Sequence, residues 1–133
     1  MELVIDTNII VAAIMKNSLT RNLVLSDSFT LWSPQRSKFE VLKYSDEYLK
    51  RSGLTQPEFD IVVGLVFSAV NIIPLRKYSV FEKQATLFCP DPFDLSFFAV
   101  ALFKRCPIWS NEHKLKAQKI IPVYNTVEVL ALL

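Results

Sequence analysis

Residues 3–14, with the sequence LVIDTNIIVAAI, decide the fold of this chain. The aliphatic residues at the start are typical of a buried β-strand, and the apolar stretch that begins at Ile9 is typical of a helix. Between the two lies Asp6, and Thr7 or Asn8 is expected to cap the helix. The stretch therefore predicts a strand that turns into a helix, with a carboxylate at the turn.

The alternation of strand and helix continues along the whole chain. Short β-branched or aromatic runs predict strands at 2–5, 29–32, 72–75, 108–109 and 120–123. Helical spacing and capping residues predict helices at 9–15, 20–26, 34–53, 57–70, 78–87, 92–105 and 112–117, with a last helix capped by Thr126. Strands that alternate with helices favour an α/β fold, a three-layer α/β/α sandwich around a mostly parallel five-stranded sheet.

Two of the predicted helices are apolar nearly all round. The helix at 57–70 is expected to be buried on two sides, and the one at 92–105 is too short to cross a bilayer and is expected to lie in the core. At its start Asp91 can cap, with Pro92 at the first helical position and Asp94 at the third. Because these two helices are so apolar and apolar residues make up 51% of the chain, we predict a homodimer that covers part of the apolar surface.

Length and composition limit the kinds of protein that this chain can be. With 133 residues the chain has the size of one compact domain, predicted to span 1–133. Two glycines in the whole chain argue against disorder and low complexity. The formal net charge of +2 is far milder than that of a dedicated nucleic-acid clamp, so charge alone does not identify a partner.

The two cysteines and the apolar runs bear on location. Cys89 and Cys106 flank a predicted helix whose ends lie roughly 20 Å apart, too far for a disulfide. Free thiols suit a reducing cytoplasm. The N-terminus has no secretory pattern, and no apolar run reaches the ~20 residues that span a bilayer. We expect a cytoplasmic protein without membrane contact.

Carboxylates are the groups that suggest chemistry. Asp6 and Glu112 each follow a predicted strand, and the carboxyl ends of parallel strands meet at one edge of a sheet. Asp91 and Asp94 have a simpler explanation as residues that cap a helix and offset its dipole. Glu40 falls outside the apolar stripe of its helix, which favours a solvent-exposed side chain. The pattern of residues alone therefore leaves the role of each acid open.

Four segments, in this order and spacing, resemble the PIN-domain nucleases: LVIDTNIIVAAI, SKFEVL, PDPFDLSFFAVAL and PIWSNEHKLK. The resemblance covers essentially the whole chain. It implies a PIN-like fold and a metal-dependent endoribonuclease that hydrolyses RNA phosphodiesters with Mg²⁺ or Mn²⁺. Similarity to the VapC-like toxins of toxin–antitoxin pairs further implies an antitoxin protein as a partner.

The resemblance also implies a role for individual residues. The catalytic acids would be Asp6, Glu40, Asp94 and Glu112, and the metal ligands among them would be Asp6, Asp94 and Glu112. The supporting polar groups would be Thr7, Asn8, Asp91 and Ser110. Basic residues near these acids in sequence are candidates for contact with substrate phosphate; they are Arg36, Lys38, Lys114 and Lys116.

The chain departs from the family pattern after the fourth strand. The family usually has S/T-x-D-x-D where this chain has SNEHK at 110–114, so Glu112 replaces one aspartate and Lys114 the other. Mg²⁺ demands near-octahedral oxygen ligands, and a longer carboxylate must take a different rotamer to reach it. We therefore expect one metal ion rather than two, with Glu112 a weaker ligand than Asp6 or Asp94.

Other functions stay open. A PIN-like fold that has lost catalysis would be a binding or scaffold module, and the altered segment with Glu112 and Lys114 favours it. A phosphoaspartyl phosphatase or receiver also places an aspartate at a strand end, but the phosphatase needs a second aspartate where Asn8 stands. The receiver needs an acidic pair before the first helix, which is absent. His113 has no partner at zinc-ligand spacing.

Overall fold

The centre of the structure, a computed structural model that describes residues 1–133, is a parallel sheet. Its strands are Glu2–Ile5 (β1), Thr30–Pro34 (β2), Val70–Ile73 (β3), Ile108–Trp109 (β4) and Val123–Tyr124 (β5). The strand order is β3-β2-β1-β4-β5, and every neighbouring pair is parallel. The predicted α/β fold is confirmed, with β1 as the central strand of five.

The helices are Thr7–Ile14 (α1), Leu19–Val24 (α2), Gln35–Lys43 (α3), Ser45–Ser52 (α4), Gln56–Ser68 (α5), Leu75–Ala85 (α6), Leu95–Lys104 (α7) and Thr126–Leu130 (α8). Two short segments, Pro92–Asp94 and His113–Ala117, form 3₁₀-helices. The second replaces the short helix predicted at 112–117. None of the helices has the length and apolar character needed to cross a membrane.

Two hydrophobic cores lie on opposite faces of the sheet. Side chains alternate along β1, so Leu3 and Ile5 belong to the core with α1 and α5, while Val4 belongs to the core with α6 and α7. All three of these side chains are fully buried. Burial on both faces explains why the central strand is a continuous aliphatic run instead of an alternating one.

The chain between β2 and α5 differs from the prediction. Pro34 ends β2 in an extended conformation (φ −69°, ψ 154°) and is not the first helical residue. Ser33 is therefore not a helix cap; it is buried, and its hydroxyl donates to the carbonyl of Ile5 at 2.8 Å. The single helix predicted at 34–53 is divided at Tyr44 (φ −106°, ψ 22°) into α3 and α4.

The fifth strand is shorter and later than the one predicted from Ile120 to Val123. The side-chain Oε1 of Gln118 accepts hydrogen bonds from the backbone N–H groups of Ile120 (2.9 Å) and Ile121 (2.8 Å). Pro122, the next residue, has no N–H to offer. Because these groups cannot pair with β4, the strand begins only after the proline.

The two apolar helices behave differently. In α7 the segment 96–101 is buried throughout, as predicted for a core helix. In α5 only Phe59 and Val66 are buried, whereas Ile61 is 64% exposed. The expectation that α5 is buried on two sides is therefore wrong for the monomer. The helix begins at Gln56, one residue before the predicted start, where Thr55 and Glu58 form a reciprocal capping box.

The burial of α7 predicts a stability difference between two otherwise identical changes. Val100→Ala in α7 removes two methyl groups from the core, where Val100 is fully buried, and should lower the free energy of unfolding by about 2 kcal/mol. Val80→Ala in α6 is the control, because Val80 is mostly exposed and the change in helix propensity is the same. Urea denaturation measures both. Equal losses from the two changes would contradict the placement of α7 in the core.

Candidate functional site

Asp6 lies at the carboxyl end of the central strand and is only 3% exposed. Its Oδ1 accepts a hydrogen bond from the backbone N–H of Ile9 at 2.9 Å, and its Oδ2 accepts one from the hydroxyl of Ser110. Asp6 thus caps α1, in place of the predicted Thr7 or Asn8. One carboxylate therefore joins the start of α1 to the end of β4.

The surroundings of Asp6 disfavour its negative charge. Burial raises the pKa of this carboxyl from 3.8 to about 6, against the lowering effect of the hydrogen bonds from Ser110 and Ile9. The nearby carboxylates of Asp94 and Glu112 raise the pKa further. A buried acid among other acids, with few compensating cations, is an arrangement typical of a functional site.

A cleft of about 170 Å³ opens beside Asp6. The residues that line it come from the end of β1 and from α1, α3, α4 and the segment around the start of α7: Asp6, Thr7, Asn8, Arg36, Glu40, Tyr48, Phe93, Asp94 and Phe97. Three of the predicted catalytic acids and two of the predicted supporting residues therefore share one cleft.

Asp94 precedes α7 at the capping position, but its side chain makes no capping hydrogen bond. The helix-capping explanation therefore fails for this residue. Burial raises the pKa of Asp94, as do the charges of Asp91 and Glu112, while Lys114 and Arg36 lower it. The carboxylate is left without a hydrogen-bonding role in the local fold.

Asp91 has the capping role instead. Its Oδ1 accepts a hydrogen bond from the backbone N–H of Phe93 at 3.0 Å, at the start of the 3₁₀-helix, and its Oδ2 pairs with Lys114 Nζ at 2.6 Å. These bonds hold the pKa of Asp91 below its usual value. Asp91 supports the segment that carries Asp94 and does not line the cleft.

Glu40 projects into the cleft from α3, although helical periodicity favoured a solvent-exposed side chain. Its side chain is 27% exposed, and its Oε1 accepts a hydrogen bond from Arg36 Nε at 2.7 Å. Tyr48, which is not among the site residues expected from the sequence, lines the same cleft. Burial raises the pKa of Tyr48, as do the charges of Glu47 and Glu40.

Glu112 lies beside the cleft and not in its lining. Its backbone N–H donates to Ser110 Oγ at 3.0 Å, and its Oε1 accepts a long hydrogen bond from Asn8 Nδ2 at 3.4 Å. The predicted acid after β4 is thus linked to the cleft through Asn8. Its carboxylate does not line the cleft, although the resemblance implied a metal ligand.

The four predicted phosphate-contacting residues are dispersed. Arg36 lines the cleft, but Lys38 and Lys116 do not. Lys116 is paired with Glu128, and Lys38 Nζ lies 5.7 Å from the ring centre of Phe67. Lys114 is paired with Asp91, which lies shortly before the start of α7. A phosphate role therefore stays a prediction with geometric support for Arg36 alone.

The oxygen atoms in the cleft have the chemistry that Mg²⁺ and Mn²⁺ prefer. Besides the carboxylates of Asp6 and Asp94 there are the amide of Asn8 and the hydroxyl of Thr7. Thr7 Oγ1 is buried and has no hydrogen-bond partner. No three Asp, Glu, His or Cys side chains are gathered closely enough to hold an ion. The oxygen atoms of the cleft are therefore of the type that these ions prefer, but no three of the carboxylates are gathered at one point.

A parallel α/β sheet with an acidic cleft at its carboxyl edge defines the class of protein. A sequence profile of the PIN domain matches residues 4–123, so the chain belongs to the PIN domain family. Among solved structures, a chain of "VapBC2 from Rickettsia felis bound to a DNA fragment from their promoter" has the same fold. The match has a TM-score of 0.70 at 18% identity and covers 94% of this chain and 98% of that chain. Comparison with curated protein sequences finds no significant match.

The raised pKa of Asp6 predicts how stability varies with pH. Between pH 3.8 and about 6 the folded chain holds a proton on Asp6 that the unfolded chain has released. The free energy of unfolding of the metal-free protein should therefore fall as pH rises through this range and stay lower above it, by about 2–3 kcal/mol. Asp6→Asn, which keeps the acceptor for Ile9, should remove this loss and be more stable than the unchanged protein at pH 7.5.

Chemical denaturation in EDTA at several pH values tests this expectation. Asp27→Asn is the control, because Asp27 is exposed and makes no ion pair, and its profile should follow that of the unchanged protein. If the Asp6→Asn profile ran parallel to the unchanged one from pH 4 to 6, the burial of a charge-disfavoured carboxyl would be disproved.

Proposed function

We propose that this PIN-domain protein is an endoribonuclease that hydrolyses RNA phosphodiesters with the help of Mg²⁺ or Mn²⁺. The observation that carries the proposal is that Asp6, Glu40 and Asp94, from separate segments of the chain, line one cleft. The buried Asp6, whose pKa is raised by burial and by neighbouring acids, is suited to a divalent cation, which would relieve the mutual repulsion of these carboxylates.

Each residue has a task in this proposal. When bound, the metal ion would polarise the scissile phosphate and lower the pKa of the attacking water. Asp6 and Asp94 would hold the ion, and Ser110 keeps the Asp6 carboxylate oriented through its hydrogen bond to Oδ2. Glu40, fixed by Arg36 at 2.7 Å, would orient the attacking water. Glu112 would act from the margin of the cleft.

We further propose that the protein is the toxin of a toxin–antitoxin pair. The support is its family and the shared fold with a chain from a VapBC2 complex, which is that protein's own assembly. An antitoxin would then be its partner and the cytoplasm its location, where the thiols of Cys89 and Cys106 stay free. Coexpression with the product of an adjacent small gene, followed by copurification, tests the pairing.

A catalytically weakened binding module is the second candidate. The observations in its favour are the absence of three closely gathered acids and the presence of Lys114, paired with Asp91, where the family has an aspartate. A phosphoaspartyl enzyme has less support, because Asp6 is buried and both of its carboxylate oxygens already accept hydrogen bonds. Such an oxygen is poorly placed to attack a phosphoryl group.

A cleavage assay separates the first two candidates. Purified protein should cleave single-stranded RNA in the presence of Mn²⁺ or Mg²⁺, and EDTA should abolish the cleavage. Asp6→Asn or Asp94→Asn should lower the rate by about a hundredfold or more, since even residues behind the ligands of a metal are commonly worth tenfold to a hundredfold. Asp27→Asn, the same change at an exposed site, should leave the rate unaltered.

Metal binding is measured in parallel as the rise in melting temperature on addition of Mn²⁺. A rise without RNA cleavage would favour the binding module. If Asp6→Asn and Asp94→Asn both kept the full rise, the metal site would be misplaced and the proposal would fall.

The structure leaves fewer apolar surfaces for self-association than the sequence predicted. The core position of α7 removes one of the two helices on which the prediction was based, whereas α5 and other helices keep exposed apolar side chains. Phe39 in α3 is 67% exposed and, with Leu75 and Pro92, borders a depression of about 490 Å³. We propose that this face forms the homodimer, because it combines an exposed aromatic side chain with a depression that a partner's side chain can fill.

Sedimentation of the unchanged protein at tens of micromolar should show a dimer. Phe39→Glu should shift it to monomer, because a charge would be buried in an apolar contact. Ile61→Glu, an equal change on the exposed face of α5, is the control and should leave the dimer intact. A monomer from the start, or dissociation by Ile61→Glu alone, would contradict the proposed face.

A further inference from the structure

We propose that Arg36 and Lys114 are positioning residues: two cations that hold the Asp94 turn, defined as residues 91–94, from opposite sides and so fix the Asp94 carboxylate for a divalent cation. The inference rests on the proposed function, since it assumes that Asp94 binds the metal. It gives both cations a task different from the phosphate contact that the sequence suggested.

On one side, the guanidinium of Arg36 bridges two walls of the cleft. Its Nη1 donates to the backbone carbonyl of Phe93 at 3.0 Å, and its Nε donates to Glu40 Oε1 at 2.7 Å. The planar fork of arginine allows both bonds at once, which a lysine cannot reproduce. Arg36 therefore ties the turn to α3 and fixes Glu40 in the same contact.

On the other side, Lys114 ties the turn to the segment that follows β4. Its Nζ lies 2.6 Å from Asp91 Oδ2, while Asp91 Oδ1 accepts the backbone N–H of Phe93. The side chain of Asp91 thus links the 3₁₀-helix after β4, through Lys114, to the backbone of the turn, through the N–H of Phe93. The ion pair is also oriented by the cap that Asp91 makes.

The turn has little else to hold it. Phe93 is 73% exposed, and Asp94 makes no side-chain hydrogen bond. The remaining polar contacts are local. Cys89 Sγ and the backbone N–H of Asp94 each donate to the carbonyl of Asp91 at 3.0 Å, and the N–H of Leu95 donates to the carbonyl of Pro92. Repulsion between Asp94 and the neighbouring acids disfavours their close approach, and the two cations oppose this repulsion. The position of the Asp94 carboxylate therefore depends on Arg36 and Lys114.

Variants that leave net charge unchanged separate position from simple electrostatics. Arg36→Lys keeps the charge and loses the double contact. The paired change Asp91→Asn with Lys114→Met removes one charge of each sign and keeps an Asn that can cap. Each should weaken Mn²⁺ binding to the metal-free protein about tenfold, the lower end of what residues behind metal ligands contribute. Isothermal titration calorimetry measures the affinity.

Matched controls make the same chemical changes elsewhere. Arg76→Lys alters an exposed arginine of α6, and Lys116→Met with Glu128→Gln removes an ion pair that does not line the cleft. Both should bind Mn²⁺ like the unchanged protein. Melting temperatures without metal are recorded for all variants, and a positioning role requires that the loss of affinity exceed that of a control with an equal change in melting temperature.

The outcomes are distinguishable. If the unchanged protein binds no Mn²⁺, the proposed function and this inference fall together. If it binds Mn²⁺ and the two test variants bind it equally well, the inference alone is overturned. It is also overturned if they bind Mn²⁺ normally but lose affinity for RNA with a salt dependence reduced by about one unit, because that result marks phosphate contacts.

Discussion

The burial of the Asp6 carboxylate at the end of the central strand is the constraint on which the rest of the structure depends. Its two oxygens accept hydrogen bonds from the first turn of α1 and from Ser110 after β4. The same group therefore sets where a helix begins, links β1 to the loop after its neighbour and forms the floor of the cleft. These bonds offset only part of the cost of burying a charge, and the raised pKa of Asp6 expresses the remainder.

Features of the fold that depend on neighbours in sequence could be predicted. The strand-to-helix stretch at 3–14 and the helix that begins after Thr55 are of this kind, because the hydrogen bonds of their first turns close within a few residues. The break at Tyr44 and the late start of β5 could not. In β5 a side chain, that of Gln118, competes with the sheet for backbone N–H groups, and no hydrophobic pattern records such a competition.

The candidate site shows the same division. The position of Asp6 at the sheet edge follows from the strand that precedes it, whereas Glu40 was placed in solvent by its helical angle and owes its site role to the family resemblance. The site role of Tyr48 could not be recognised from the sequence, because an aromatic residue at an apolar position of a helix is usually a core residue. The hydrogen bond from Arg36 to the carbonyl of Phe93 and the ion pair of Lys114 with Asp91 could not be predicted either, since these partners lie far along the chain. Such long-range contacts form only after the elements have packed.

The short fifth strand has a consequence for how another protein can meet this one. An exposed sheet edge normally offers a row of free backbone groups to which a foreign strand can add. At the β5 edge that row is only two residues long, and it is preceded by Pro122 and by N–H groups already bonded to Gln118. Strand addition has no template there. A partner on that side must therefore recognise side chains on the helices, which makes recognition depend on their chemistry instead of on the backbone common to all sheets.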